Sequence, residues 1–515
     1  MKTGHLLIAF VAANAVLYSA LLPLWEGFDE PFHFGYVQRL ANGGGLPDAR
    51  TEGLSREVAV SLALAPAGES VKANLPRVTS YAEYFRWTPE QRAKARRELE
   101  EIPTEYGRQP SDIGNYETQH PPLAYLLLAV PERMMAGMTL ASRVLALRIL
   151  AALAGGLLLY SGGIALCREV GLGEPYRSMA MFCALATQMT WATLAHVAND
   201  WLAVPLAIWT LALMARCAAR ATGPRMAAAA VALAAGLLTK AYFLALVPVL
   251  LGVCAARRGW RGLAVSAGIV GILAGPWYAR NLRVYGDLTG MQQSRAGVGA
   301  AAVFHAAPAV NWPKIAVDSA RLGLWTGNNT FRTFSVATLD ATLAIMAVAL
   351  LLWALRRRSP AEWAVAAYCA AFAAALAYEA VQTYAYQHGV VTVPGAWHLQ
   401  TLLTPLLILC FLGASRWRRV GTAPAALLTL LFGYVLAVTY VFKLIPMYGG
   451  YEGRGSLREI AALYTAHFDT LRANLESAAL GPVALIFGLT AVVIGLIVML
   501  EIRLLRALAG STIRW

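Results

Sequence analysis

Residues 225–261 read RMAAAAVALAAGLLTKAYFLALVPVLLGVCAARRGWR. Between Arg225 and Arg257 lie the 31 residues Met226–Ala256, whose only charge is Lys240. The basic clusters on either side, Arg216/Arg220/Arg225 and Arg257/Arg258/Arg261, sit in short loops and are cytoplasmic by the positive-inside rule. An even number of crossings must separate two cytoplasmic loops. The stretch is therefore a membrane hairpin, with Lys240 near its outer tip.

The same parity organises the rest of the chain. Arg356/Arg357/Arg358 and Arg416/Arg418/Arg419 mark two more inner loops. Gly262–Ala279 and Val336–Leu355 then form a second pair of crossings, and Trp363–Tyr378 and Leu399–Ser415 a third. Working backwards, Trp201–Ala215 enters from outside and Ser178–Ala198 exits, which puts Asn199 and Asp200 at an outer turn. Leu147–Leu166 runs inward, and Leu6–Trp25 is the first exit. Pro121–Met135 is short and interrupted by Pro131, Glu132 and Arg133, so it reads as a helix lying at the outer interface. Val420–Phe442 exits, and Ser477–Leu500 returns to a basic tail with Arg503, Arg506 and Arg514. The expected fold is an all-α polytopic membrane protein of about 12 transmembrane helices with both ends inside. Its outer loops are 26–146, 280–335 and 443–476.

Composition agrees with a bilayer as solvent. The 515 residues are 58% hydrophobic and only 14% charged, with a mean hydropathy of +0.53, which is too apolar for a soluble domain of ordinary surface. The formal charge of +14 gathers in inner loops, so its role is topological and nucleic acid is not the partner. The uncharged Leu6–Trp25 run exceeds an ordinary signal-peptide core and reads as a span. All six cysteines fall in or at the ends of apolar runs, which argues against an outer disulfide framework. No inner loop is long enough for a nucleotide-binding domain, and no GxxxxGK[ST] loop is present. Any activated substrate must come by another route.

Charge on the outer side has the opposite sign, since sixteen of the 29 acidic residues lie in loop 26–146. That loop opens with WEGFDEPFHF, where Asp29 and His33 are four apart and share a helix face, with Glu30 beside them and Pro31 suited to a first turn. Asp29 suits a helix cap; two carboxylates and an imidazole together also make a plausible base. The loop closes with NYETQHPPLAYLLL, whose Glu117 and His120 either line a turn or act as substrate or metal ligands. His196, Asn199 and Asp200 cluster at the next outer turn. Lys240 either snorkels to the interface or faces an anion such as an outer-leaflet phosphate. Arg280 and Arg283, in GPWYARNLRVYGDL, stand on the side that the positive-inside bias disfavours, and binding a lipid phosphate would account for them.

Taken together, FDEPFHF, QHPPLAYLLL, HVANDWLA, LLTKAYFLALVP and PWYARNLRVYGD resemble the integral-membrane glycosyltransferases of the GT-C fold. The likeness is to the protein O-mannosyltransferase and lipid A aminoarabinose transferase superfamily and its bacterial relatives. It covers residues 1–290, the expected core; 291–515 forms a variable C-terminal transmembrane region. The resemblance implies Asp29 as catalytic base with Glu30 as its acidic neighbour, and Asp200 as an assisting carboxylate. Lys240 and Arg280, with Arg283 nearby, would hold a polyprenyl phosphate. Where relatives often carry an Arg-Tyr or Arg-His pair at a late span, this chain has Trp397-His398, so His398 joins His33, Glu117, His120, His196 and Asn199 as a candidate for substrate or metal. The implied activity is inverting transfer of a sugar from a polyprenyl-phosphate donor to an acceptor hydroxyl or amine, at the periplasmic face of the inner membrane. A divalent metal ion is the one cofactor that the candidate set admits. The alternative is a transporter or flippase of lipid-linked sugars, in which the same charges would line a pathway.

Overall fold

The computed structural model describes residues 2–68, 72, 75, 78–326, 334–389, 393–450 and 456–513, without the side chains of 418–419 and 512–513. The side chains of Arg418 and Arg419, and all of Arg514, therefore lie outside the described residues. The described residues are mostly helical. Nine helices among the described residues are long and apolar enough to cross a membrane: Thr3–Leu21, Leu140–Glu169, Asp200–Ala219, Ala241–Tyr285, Val336–Ala354, Pro360–Tyr386, Ala396–Arg416, Val420–Met447 and Val483–Ser511.

The difference from about twelve lies in three places. Ala241–Tyr285 is 45 residues long and turns at Gly259, whose φ of 60° and ψ of −154° are non-helical. Glycine takes that positive φ without a Cβ clash. The turn falls between Arg257/Arg258 and Arg261, so this element holds both sides of one basic loop. Gly223–Leu237, the first arm of the hairpin, has only 15 residues. The third place is a correction: Ser178–Ala198 is no single span but two short buried helices, Tyr176–Leu185 and Gln188–Leu194. Side chains satisfy the carbonyls freed at the break, as a water-poor interior demands. Thr190 Oγ1 donates to Ala184 O at 3.0 Å, Trp191 Nε1 to Leu185 O at 2.7 Å, and Thr187 Oγ1 to Cys183 O at 2.9 Å.

Close helix packing rests on small residues, which let backbones approach in a membrane. A Cβ at Gly155 would lie 2.7 Å from the Trp201 carbonyl oxygen, and one at Gly162 would lie 2.9 Å from the Trp209 ring. Leu140–Glu169 and Asp200–Ala219 thus meet along a glycine-lined seam.

Loop 26–146 folds over one end of the helix bundle. It contains the Glu30–Ala41 helix, an antiparallel pair Gly53–Ser55 with Pro110–Gly114, and the Pro89–Glu100 helix, which Thr88 and Gln91 close with reciprocal caps. Leu123–Met134 has 12 residues, too few to cross, and exposes Leu126, Leu127, Val130 and Met134. Two buried arginines hold the loop down. Arg148 pairs with Glu30 and also donates to Leu22 O and Pro23 O at 3.2 and 2.9 Å; Arg143 pairs with both Glu57 and Glu132. The segment entering the last helix closes the arrangement, with Tyr84 Oη donating to Ser477 O at 3.0 Å and Gly481 N to Ala20 O at 2.8 Å.

Candidate functional site

After the first helix the chain makes two left-handed turns within five residues, at Trp25 (φ 65°) and Asp29 (φ 54°). Such a conformation is uncommon outside glycine and marks places where surrounding structure dictates the backbone. Asp29 precedes the Glu30–Ala41 helix, yet its side chain makes no capping hydrogen bond. It accepts instead from Tyr116 Oη at 2.5 Å. Tyr116 comes from the other end of the loop, where Asn115 pins the segment to the same helix by donating from Nδ2 to Phe32 O at 2.8 Å.

Asp29 and His33 line a cavity of about 390 Å³, together with Phe28, Tyr116, Glu117, Gln119, His120, Asp200, Lys240, Met291, Gln292, Gln293, Glu379, Trp397 and His398. Glu117 Oε2 lies 2.8 Å from His120 Nε2 and 3.5 Å from His33 Nδ1, and the latter is 2.8 Å from Tyr125 Oη. Lys240, where the Gly223–Leu237 helix has just ended, donates to both Asp200 oxygens at 2.6 and 2.7 Å. Across the cavity His398 Nδ1 is 3.0 Å from Glu379 Oε2, and the Phe28 and Trp397 rings lie 4.7 Å apart.

The electrostatics single out Asp29. Burial, then the nearby Glu117 charge, push its carboxyl up to about 6, although the Tyr116 hydrogen bond works the other way. Burial would also raise Glu117, but His33 and His120 outweigh it and hold that carboxyl low, at about 2. His33 is pushed down to about 4 by burial and is a neutral imidazole at pH 7. Tyr116 is driven up by burial and by the Asp29 and Glu117 charges, which keeps it a donor.

Other expected site residues lie elsewhere. Glu30 is fully buried against Arg148 and accepts from Val197 N at 2.8 Å, so it is a structural anchor outside the cavity. Asp29 precedes the helix in a left-handed conformation and Glu30 opens it, so the two neighbouring carboxylates reach different partners. His196 packs edge-on to Phe28 at 6.3 Å, and Asn199 is wholly buried; neither lines the cavity. Arg280 points to the loop backbone, donating to Pro47 O at 2.6 Å, and Arg283 is exposed. Neither is a cavity residue.

Among the described residues no group of three or more His, Cys, Asp or Glu is placed to hold a metal ion. In the cavity His120 Nε2 is engaged by Glu117, His33 Nδ1 by Tyr125, and both Asp200 oxygens by Lys240.

Sequence reasoning passed over Tyr116, Glu379 and the Gln292–Gln293 pair. Glu379 was open to the same argument as Lys240, being a lone charge near the C-terminal end of the apolar Pro360–Tyr386 helix. Tyr116 carried no such signal.

A family model described as "Predicted membrane protein (DUF2142)" matches residues 13–395. No curated protein matches the chain. Among solved structures, the chain is similar to ArnT from Cupriavidus metallidurans bound to undecaprenyl phosphate, at 15% identity and a TM-score of 0.49 over 98% of this chain and 78% of that one. The apo form of the same protein gives 15% identity and 0.44, over 96% and 77%. The archaeal oligosaccharyltransferase AglB from Archaeoglobus fulgidus, in complex with an inhibitory peptide and a dolichol-phosphate, gives 12% and 0.39, over 92% and 56%.

Proposed function

This chain belongs to the DUF2142 family of predicted membrane proteins, and from that premise we propose that it is a glycosyltransferase that takes its sugar from a polyprenyl-phosphate-linked donor. One observation carries the proposal: the polar cavity and an apolar groove are lined from the same two helices. Pro360–Tyr386 contributes Glu379 to the cavity and Leu376 and Ala377 to the groove; Ala396–Arg416 contributes His398 to the cavity and Leu399, Leu402 and Leu403 to the groove, which measures about 350 Å³. Polar and apolar compartments on shared helices suit an amphiphile, with a sugar head beside the acids and an isoprenoid chain among the leucines. The motif resemblance over residues 1–290 supports the same class of reaction.

In the proposed step the acceptor oxygen or nitrogen attacks the anomeric carbon, and the bond from that carbon to the phosphate oxygen breaks. The phosphate leaves with the electron pair, the configuration inverts, and Asp29 receives the acceptor's proton. A carboxyl at about 6 is mostly ionised at pH 7 yet basic enough to help, since a general base works best near the operating pH. Tyr116 occupies Oδ1, which leaves Oδ2 for the proton. Asp200 holds Lys240 at the cavity wall. The basic inner loops favour placing this chemistry on the periplasmic side of the inner membrane.

The test is purified protein with a panel of polyprenyl-phosphate sugars, scored for release of free lipid phosphate with and without acceptor. Acceptor-dependent release would support transfer. Movement of intact donor across vesicles without release would favour the flippase reading and sink this one.

A further inference from the structure

Three arginines gather outside the cavity, beside it. Arg50 follows the Glu30–Ala41 helix, Arg280 lies near the end of the Ala241–Tyr285 helix, and Arg295 closes the short Gln292–Arg295 helix. Their guanidinium carbons stand 5.6, 5.7 and 5.6 Å from the centroid of a single ring, Tyr285. Backbone groups hold the arrangement: Ala49 N donates to Tyr285 Oη at 3.1 Å, Arg280 to Pro47 O at 2.6 Å, and Arg295 to Ala49 O at 3.4 Å.

Negative charge to match is scarce. Among the described residues the only carboxylate paired with the cluster is Asp48, at 2.5 Å from Arg50. Hydrogen bonds from Arg50 hold Asp48 down to about 2, with the Arg280 charge adding to the effect. Arg295 Nε is buried without a partner. Converging like charges destabilise a structure unless an anion joins them, and a guanidinium's planar fork fits phosphate oxygens in pairs. The cavity has the opposite balance. Asp29, Glu117, Asp200 and Glu379 line it against a single lysine, and that lysine is already paired with Asp200. A phosphate would be repelled there and attracted next door. The two regions share an element, since Gln292 and Gln293 line the cavity while Arg295 reaches Tyr285.

We infer that Arg50, Arg280 and Arg295 form a phosphate-binding site at the edge of the cavity, which holds the phosphate of the lipid-linked donor while its sugar enters beside Asp29. Arg280 stands in a motif that the resemblance already linked to phosphate; Arg50 and Arg295 come from stretches outside those motifs. The donor's identity rests on the proposed function. The anion site rests on the arginines alone.

The test uses the full-length protein in nanodiscs of phosphatidylcholine, with farnesyl phosphate as probe and farnesol, phosphatidylglycerol and inorganic phosphate as competitors. Farnesyl phosphate should bind and farnesol should not displace it. Arg50→Gln and Arg295→Gln should each weaken binding about tenfold, as loss of a charge-assisted contact implies. The matching Lys variants should recover only part, because the point charge lacks the fork. Lys94→Gln, an exposed cation on the outer loop, should change nothing. Unchanged affinity in both Gln variants, or equal loss in Lys94→Gln, would overturn the site. Equal competition by phosphatidylglycerol or by inorganic phosphate would overturn its assignment to the donor. Failure here and failure of the enzyme reading are separable. Turnover with unaltered KM in Arg50→Gln and Arg295→Gln sinks the arginine site and leaves the enzyme; specific farnesyl phosphate binding without turnover of any sugar lipid does the reverse.

Discussion

Asp29 combines a left-handed backbone, a hydrogen bond from Tyr116 and a carboxyl raised to about 6. Asp29→Asn keeps the shape and removes the proton acceptor, so turnover should fall at least about 10²-fold, the lower end for general-base catalysis, while donor binding holds. Near wild-type turnover would exclude Asp29 as the base. The pH profile gives an independent check. A base must be ionised, so kcat/KM should fall as pH drops through about 6. Tyr116 donates to the ionised form and lowers the pKa, so Tyr116→Phe should move that acid limb to higher pH. The Glu117 charge raises it, so Glu117→Gln should move the limb lower; shifts in the same direction would refute this electrostatic account. Glu30 is a different case one residue along. Glu30→Gln would leave Arg148 buried without its counter-charge, at a cost of about 3–5 kcal/mol, and should appear as lost folded protein in a detergent melt, not as a folded but inactive enzyme. Asp29, Glu30 and His33 could be singled out by spacing alone, because acids and imidazoles at a membrane boundary are rare. Which of the two carboxylates faces the cavity could not, since that depends on Arg148, some 118 positions away in the chain.

At the scale of elements, the apolar runs and the basic loops between them were readable because hydrocarbon thickness and charge bias act on composition alone. The interruption between Tyr176–Leu185 and Gln188–Leu194 was not. It has no Gly or Pro, and its freed carbonyls are satisfied by Thr187, Thr190 and Trp191, which look unremarkable in an apolar run. The seam between Leu140–Glu169 and Asp200–Ala219 depends on glycine in a measurable way. Gly155→Ala would push a methyl to 2.7 Å from the Trp201 carbonyl oxygen, backbone that cannot turn aside. A loss of about 1–3 kcal/mol is expected, read as a lower melting temperature; an unchanged melt would mean that the helices separate more easily than their packing implies. Because Asp200 begins the second of these helices, the same variant should also weaken activity by displacing the Asp200–Lys240 pair.

For the whole molecule, topology is the property on which the site's location depends. Of the six native cysteines, five are buried and Cys369 is half-buried, so single introduced cysteines can report on either face. Lys94→Cys on loop 26–146 should react with an impermeant maleimide from outside, and Arg357→Cys only after the membrane is opened; the reverse pattern would turn the protein over and move its chemistry to the cytoplasm. Two helices far apart in sequence also meet. Arg503 Nε donates to Thr3 Oγ1 at 3.0 Å, and Gly481 N reaches Ala20 O at 2.8 Å, so the last long helix lies along the first. Ribosomal synthesis makes Thr3–Leu21 long before Val483–Ile513. Thr3–Leu21 therefore waits in the lipid without this neighbour while the residues between them are made, and their pairing is a late, long-range event of the kind that slows folding.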